Sequence, residues 1–281
     1  MFFGFNPLLV PVNRRALTVQ LRQAIHTARQ FGFQVIELTC TESMFDLGLS
    51  TIFGGEFTEE LMKASDLRIH FHLFYGHHSL EEVALTDTHA PTRAIYLRRL
   101  LDVVDFFERR SPVQLYIVHT GPRVYPLAEH LDALAKALEA LRTIYPHVQI
   151  AVENGRRGSV IEGPDEILAL LKFHPEIPFV FDTSLAYQAV GFHRFAYGEL
   201  LKAVGAFDHQ IVEIHWNNTA PGFQPNRPLH VPLEGGIDLD LAARRLRKNP
   251  HVTHLIETLA ARDNAALVRD QRLLYRALLA A

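Results

Sequence analysis

Seven side chains able to hold a metal or move a proton stand at or near the ends of short apolar runs. They are His70 and His72 in LRIHFHLF, His119 in VQLYIVH, Glu153 in VQIAVEN, Asp182 in FVFDT, His215 in IVEIHW and Glu257 in VTHLIETL. Asp182 is the pointed case, because PFVFDTSLAY is apolar up to that acid. A carboxylate buried there is costly unless something pairs with it. Three carboxylates with two or more imidazoles suit a divalent cation such as zinc, manganese, cobalt or magnesium. Each residue alone has a plainer reading. His70 would serve as a hydrogen-bonded structural histidine, and Asp182 could cap a following helix. Six consecutive runs closing on an acid or an imidazole are hard to explain as unrelated caps, and a shared cation is the better account.

Such side chains converge only if the fold brings the run ends to one place. In chain order the candidate strands are FFGF (2–5), QVIELTC (34–40), LRIHFHLF (67–74), VQLYIVH (113–119), VQIAVEN (148–154), FVFDT (179–183), IVEIHW (211–216) and VTHLIETL (252–259). Their continuous apolar, β-branched character predicts a parallel sheet covered on both faces. Between them ALTVQLRQAIHTARQFG, PTRAIYLRRLLDVVDFFERR and LAEHLDALAKALEALRTIY repeat apolar residues at helical spacing. Gly32 marks a helix stop, and Pro164 suits a first helical position. Eight strands alternating with about eight helices predict an α/β fold, a single-domain (β/α)8 TIM barrel over 1–281. A doubly wound open sheet is the competitor, but FNPLLVPVNRR after the first strand carries no GxGxxG turn. The longest loops are expected after strands two and seven, around LGLSTIFGGEF and NNTAPGFQPNRPLHVPLEGG, on the face where such barrels do chemistry.

Bulk properties narrow the classes. Of 281 residues, 48% are hydrophobic and 21% charged, which is ordinary for a globular protein with a sizeable core. The net charge of −3 argues mildly against a dedicated nucleic-acid partner and leaves only a local basic patch open. Cys40 is the one cysteine, so no intrachain disulfide forms and a reducing compartment fits. No apolar run reaches the roughly 18 residues of a membrane span. The start, MFFGFNPLLVPVNRR, lacks the order of a secretory signal, so a cytoplasmic protein without a membrane partner is expected. Histidine, at 16, is abundant, but the count alone decides nothing.

VHTG, VENG, FDTSLAYQAVG, IHWNN and HVPLEGGID, followed by IET, resemble the xylose isomerase-like barrel superfamily over nearly the whole chain. That superfamily includes sugar isomerases, sugar phosphate epimerases and endonuclease IV. The resemblance implies that Glu153, Asp182, His215 and Glu257 ligate one divalent metal (Mn, Co, Mg or Zn), as in the epimerase branch. Glu153 and Glu257 would then be the catalytic pair, moving a proton on and off the carbon next to a polarised carbonyl. A lyase or dehydratase is a variant of the same chemistry.

The endonuclease branch is the rival. Its pattern matches His72 and His119 as ligands of a possible second metal, and His119 could equally touch substrate. Its third metal needs a histidine three residues after the strand-six acid and an aspartate two before the histidine of the strand-seven loop. This chain has Leu185 and Pro228 there, the latter two before His230. The expected partner is therefore a small-molecule sugar, keto-polyol or sugar phosphate, with homo-oligomer formation left open. A barrel that binds metal without turnover is the reading from a different class.

Loop residues complete the candidates. Arg123, Arg156, Arg157 and Arg227 could clamp an anionic substrate group or form a solvated edge, with Arg156 and Arg157 the better pair. His230 could contact substrate or bond backbone. Tyr75, Tyr187 and Phe223 are pocket walls or core, core being favoured for Tyr187. His77 and His78 could reach substrate. Trp216 should face away from His215 by strand alternation. Glu37 could touch substrate or pair across the barrel.

Overall fold

The computed structural model describes residues 1–7, 14–73, 84–110, 113–156, 158–219, 231–246, 249–258 and 263–280. Its strands are β1 (Phe2–Phe5), β2 (Val35–Cys40), β3 (Arg68–Leu73), β4 (Val113–His119), β5 (Ile150–Glu153), β6 (Phe179–Asp182), β7 (Ile211–Trp216) and β8 (Thr253–Ile256). They are parallel and follow one another in chain order as a closed eight-stranded barrel with helices between them. The helices are α1 (Arg14–Phe31), α2 (Glu42–Asp46), α3 (Leu49–Phe53), α4 (Glu56–Lys63), α5 (Ala90–Glu108), α6 (Leu127–Ile144), α7 (Pro164–Phe173), α8 (Thr183–Ala189), α9 (Arg194–Val204), α10 (Leu239–Leu246) and α11 (Asn264–Ala280). The contacts divide the chain into two compact units, Pro7–Ala151 and Met1–Asn6 with Val152–Ala281.

In the unit Pro7–Ala151, α1 buries Leu17, Leu21, Ala24, Ile25 and Ala28, the one-sided stripe that its sequence spacing demands. Gly32, at φ 75°, ends it, and the Phe33 amide turns back to the Ala28 carbonyl at 2.9 Å. β2 and β3 pair from Val35↔Arg68 to Cys40↔Leu73. Here one expectation is corrected: LGLSTIFGGEF is not a long loop but α3 running into α4. Phe53 and Phe57, four apart, supply the reason. Their rings meet edge-on at 5.2 Å, and Phe53 also packs against Phe71 and Phe107, so the segment is tied down by burial. Gly54 and Gly55 make the break between the two helices, Gly55 at φ 58°.

In the unit containing Val152–Ala281, β6 pairs with β7 and β7 with β8, while β1 joins β8. Pro164 opens α7, and the Glu166 carboxylate accepts the Gly163 amide at 3.0 Å. Three strands stop earlier than the sequence suggests. β5 ends at Glu153 and β6 at Asp182, because Thr183 already belongs to α8. β8 ends at Ile256, so Glu257 lies just beyond its strand. Its amide still donates to the Trp216 carbonyl at 3.1 Å, which holds it level with the end of β7. Among the described residues no helix is long and apolar enough to cross a membrane.

Candidate metal centre

The two oxygens of Asp182 have different partners. Oδ1 accepts the Leu185 amide at 2.6 Å and the Ser184 hydroxyl at 3.2 Å, which makes Asp182 the N-cap of α8. Oδ2 accepts the Asn217 side-chain amide at 2.5 Å. The backbone of Asp182 is clamped as well: its N–H donates to Asn154 Oδ1 at 2.8 Å, and Asn154 Nδ2 donates to its carbonyl at 3.1 Å. Leu185, buried, contributes its backbone to the cap.

Beside Asp182 in the sheet register stands His215. Its Nδ1 lies 2.7 Å from Glu153 Oε1 and 3.3 Å from Glu257 Oε2, and its Nε2 lies 3.0 Å from Glu213 Oε1. Glu153, Asp182, His215 and Glu257 are all buried and each offers a ligand atom, these atoms lying within 4.8 Å of one another. Three carboxylates packed this closely away from water repel one another and lose hydration. A divalent cation offsets both costs. The donor set, three oxygens and one imidazole, fits magnesium, manganese, cobalt or zinc.

The unit Pro7–Ala151 holds its own pair. His72 Nε2 and His119 Nε2 face each other at 2.8 Å with their rings stacked 4.8 Å apart. His72 Nδ1 lies 3.3 Å from the buried Glu37 Oε1. Glu37 sits in the middle of β2 rather than at its end, and pairs with the histidine two strand positions beyond its own register partner, His70. Facing nitrogens at this distance share one proton, or turn two lone pairs toward one cation.

No protein-family model matches the chain, and no curated protein matches it. Solved structures do. Endonuclease IV from Thermus thermophilus superposes with a TM-score of 0.63 at 17% identity, covering 100% of each chain. The "probable 3-DHS dehydratase AsbF" of Bacillus anthracis gives 0.66 at 15%, covering 98% of this chain and 99% of that one. A xylose isomerase domain protein from Planctomyces limnophilus gives 0.63 at 14%, over 99% and 95%. The fold is the xylose isomerase-like (β/α)8 TIM barrel.

Within this xylose isomerase-like barrel the remaining candidates separate. His70 is buried in the middle of β3, not at its end, and joins no metal-capable group among the described residues. Arg123 and Arg156 are exposed. Arg157, Arg227 and His230 lie outside the described residues, as do Tyr75, His77, His78, Phe223 and Pro228. Tyr187 is core, its ring 5.6 Å from Phe192 and 5.1 Å from Tyr197. Trp216, on the opposite face of β7 from His215, donates its indole N–H to His254 Nδ1 at 3.0 Å. Three site residues escaped sequence reasoning: Asn154, Asn217 and Glu213. The asparagines directly follow strands that carry candidate ligands, in VEN and IHWN, and Glu213 stands two before His215. Alternation in EIH puts that acid and the histidine on one face, which was the available signal.

Proposed function

We propose that this chain is a divalent-metal-dependent isomerase or epimerase of a small sugar, keto-polyol or sugar phosphate. The observation that carries the reading is the buried Glu153–Asp182–His215–Glu257 cluster with its ligand atoms within 4.8 Å of one another. A cation bound there supplies Lewis-acid polarisation of a substrate carbonyl and its neighbouring hydroxyl. Asp182 and His215 hold the centre, Asp182 from the cap of α8 and His215 from β7. Glu153 and Glu257 reach the same imidazole nitrogen from different strand ends. One takes the proton from the carbon beside the carbonyl and the other returns a proton, so the substrate is rearranged with no atom gained or lost. The test is uptake of deuterium from heavy water into ketoses and ketose phosphates, followed by NMR with manganese- or cobalt-loaded protein. Glu257→Gln should slow exchange by about 10²- to 10⁴-fold. Full exchange by that variant would sink the assignment.

The His72–His119 pair supports a second reading, a metal-dependent phosphodiester hydrolase acting on abasic DNA, because facing imidazoles are suited to a further cation. Leu185 stands against it, replacing a histidine that the endonuclease pattern needs. Two or more zinc ions per chain by mass spectrometry, with chelator-sensitive cleavage of an abasic duplex, would favour this reading over the first.

A further inference from the structure

Glu213 is fully buried, carries a charge-bearing group, and belongs to no metal-capable cluster among the described residues. It is placed by strand alternation: residues 213 and 215 of β7 share a face, about 6.6 Å apart along the strand. Its Oε1 meets His215 Nε2 at 3.0 Å, on the edge of the ring away from Nδ1, the nitrogen that faces Glu153 and Glu257. We propose that Glu213 is a positioning residue that fixes His215 as the Nε2–H tautomer, leaving the Nδ1 lone pair for the metal. This rests on the reading of Glu153, Asp182, His215 and Glu257 as a cation site.

An ionised carboxylate only accepts hydrogen bonds, and a neutral imidazole has one N–H to give. Both ring nitrogens of His215 face carboxylates, so without a further constraint the proton could sit on either. A cation among Glu153, Asp182 and Glu257 competes with a proton on Nδ1, whereas Glu213 lies on the other side of the ring and keeps Nε2 protonated. The ligand nitrogen is thereby chosen, the ring is held in one orientation, and its basicity rises. The other unit holds a comparable acid–imidazole contact: Glu37 meets His72 Nδ1 at 3.3 Å, and the ring nitrogen turned toward His119 is Nε2. Glu213 differs from Glu37 in belonging to no metal-capable group among the described residues.

The experiment uses the whole chain with histidine labelled by ¹⁵N and loaded with Zn²⁺. The expected spectrum shows His215 protonated at Nε2 and zinc-bound at Nδ1. In parallel, Zn²⁺ titration of Glu213→Leu, which removes the acceptor at similar volume, should show a dissociation constant raised about 10- to 100-fold. Circular dichroism would confirm that the variant is folded. Zinc bound through Nε2 in the unaltered chain overturns the proposal, and so does unchanged affinity in a folded Glu213→Leu. If the variant does not fold, the tautomer of the unaltered chain still decides. An unaltered chain that binds no Zn²⁺ or Mn²⁺ overturns the metal reading itself, a result distinguishable from failure of Glu213 alone.

Discussion

Asn217 donates its side-chain amide to Asp182 Oδ2 at 2.5 Å, reaching from the residue after β7 to the last residue of β6. The same Nδ2 lies 3.3 Å from Glu257 Oε2, so one amide braces two of the four candidate ligands. Its own orientation is fixed from behind, since Oδ1 accepts the Ser184 amide at 2.9 Å. Asn217→Ala should therefore weaken Zn²⁺ binding about 10- to 100-fold, as loss of a partner behind a ligand does. It should also cost about 1–3 kcal/mol of stability through the buried groups left unsatisfied. Zinc titration and urea unfolding in chelator check the two effects separately.

The division of labour between the two oxygens of Asp182 makes its roles separable. Asparagine caps helices about as well as aspartate, so Asp182→Asn should keep α8 while removing a charged ligand. In chelator this variant should lose about 1–3 kcal/mol, because its Nδ2 would face the Asn217 amide that Asp182 Oδ2 accepts, a loss partly offset by relief of one of three crowded carboxylates. It should copurify with much less metal. Asp182→Ala loses the cap too and should fall below Asp182→Asn by about 1 kcal/mol. If the asparagine variant retained the parent's metal content, Asp182 would be a cap and nothing more.

The sequence carried the barrel and the four-residue cluster for a common physical reason. A buried strand must be apolar, so an acid or imidazole at its end stands out, and eight such strands can be counted. What stayed hidden was support rather than chemistry. Glu213 sits inside its strand, where an acid looks like an interruption until the histidine two residues on is placed in three dimensions; Glu37, expected to touch substrate or pair across the barrel, was the legible one, and its partner is His72. The α3–α4 segment looked like a loop because two glycines break its pattern, and only the Phe53 cluster shows what is being buried. Histidine abundance was an ambiguous signal, as expected. His130, for one, is a buried clasp, with Nδ1 2.7 Å from the Thr86 carbonyl and Nε2 accepting the Val124 and Tyr125 amides.

Gly235 offers a test of the chain segment next to Asn217. Asn218 ties that segment by donating Nδ2 to the Leu233 carbonyl at 2.9 Å, while its Oδ1 accepts the Ile237 amide at 2.7 Å. A Cβ on Gly235 would collide with the Thr219 carbonyl and sit 2.7 Å from Asn218 Cγ. Gly235→Ala should cost about 1–3 kcal/mol, the range for forcing atoms into a packed interior, and urea unfolding measures it. An unchanged urea midpoint would mean that the segment yields without disturbing Asn218.

His254 sets an acid limit on stability. Its Nδ1 accepts the Trp216 indole N–H at 3.0 Å, and its ring stacks on Phe3 at 5.7 Å and Trp216 at 5.9 Å. Burial is the main cause that pushes its pKa down to about 3, with the nearby chain amino terminus adding to it. An unfolded histidine titrates near about 6.5. Between those values the unfolded chain holds a proton that the folded one refuses, so stability rises with pH across the window and is lost as pH falls below about 6.5. The slope from this one group approaches about 1.4 kcal/mol per pH unit. His254→Asn keeps an acceptor for Trp216 but no titrating ring, and should be less stable at pH 7 because it leaves a void. Its stability should fall less steeply on acidification, so the gap to the parent narrows from pH 6.5 toward 4.5. Urea unfolding of both proteins in chelator over that range gives the two slopes. Parallel curves would show that His254 takes up no proton on unfolding, and that its burial is not what limits the fold in acid.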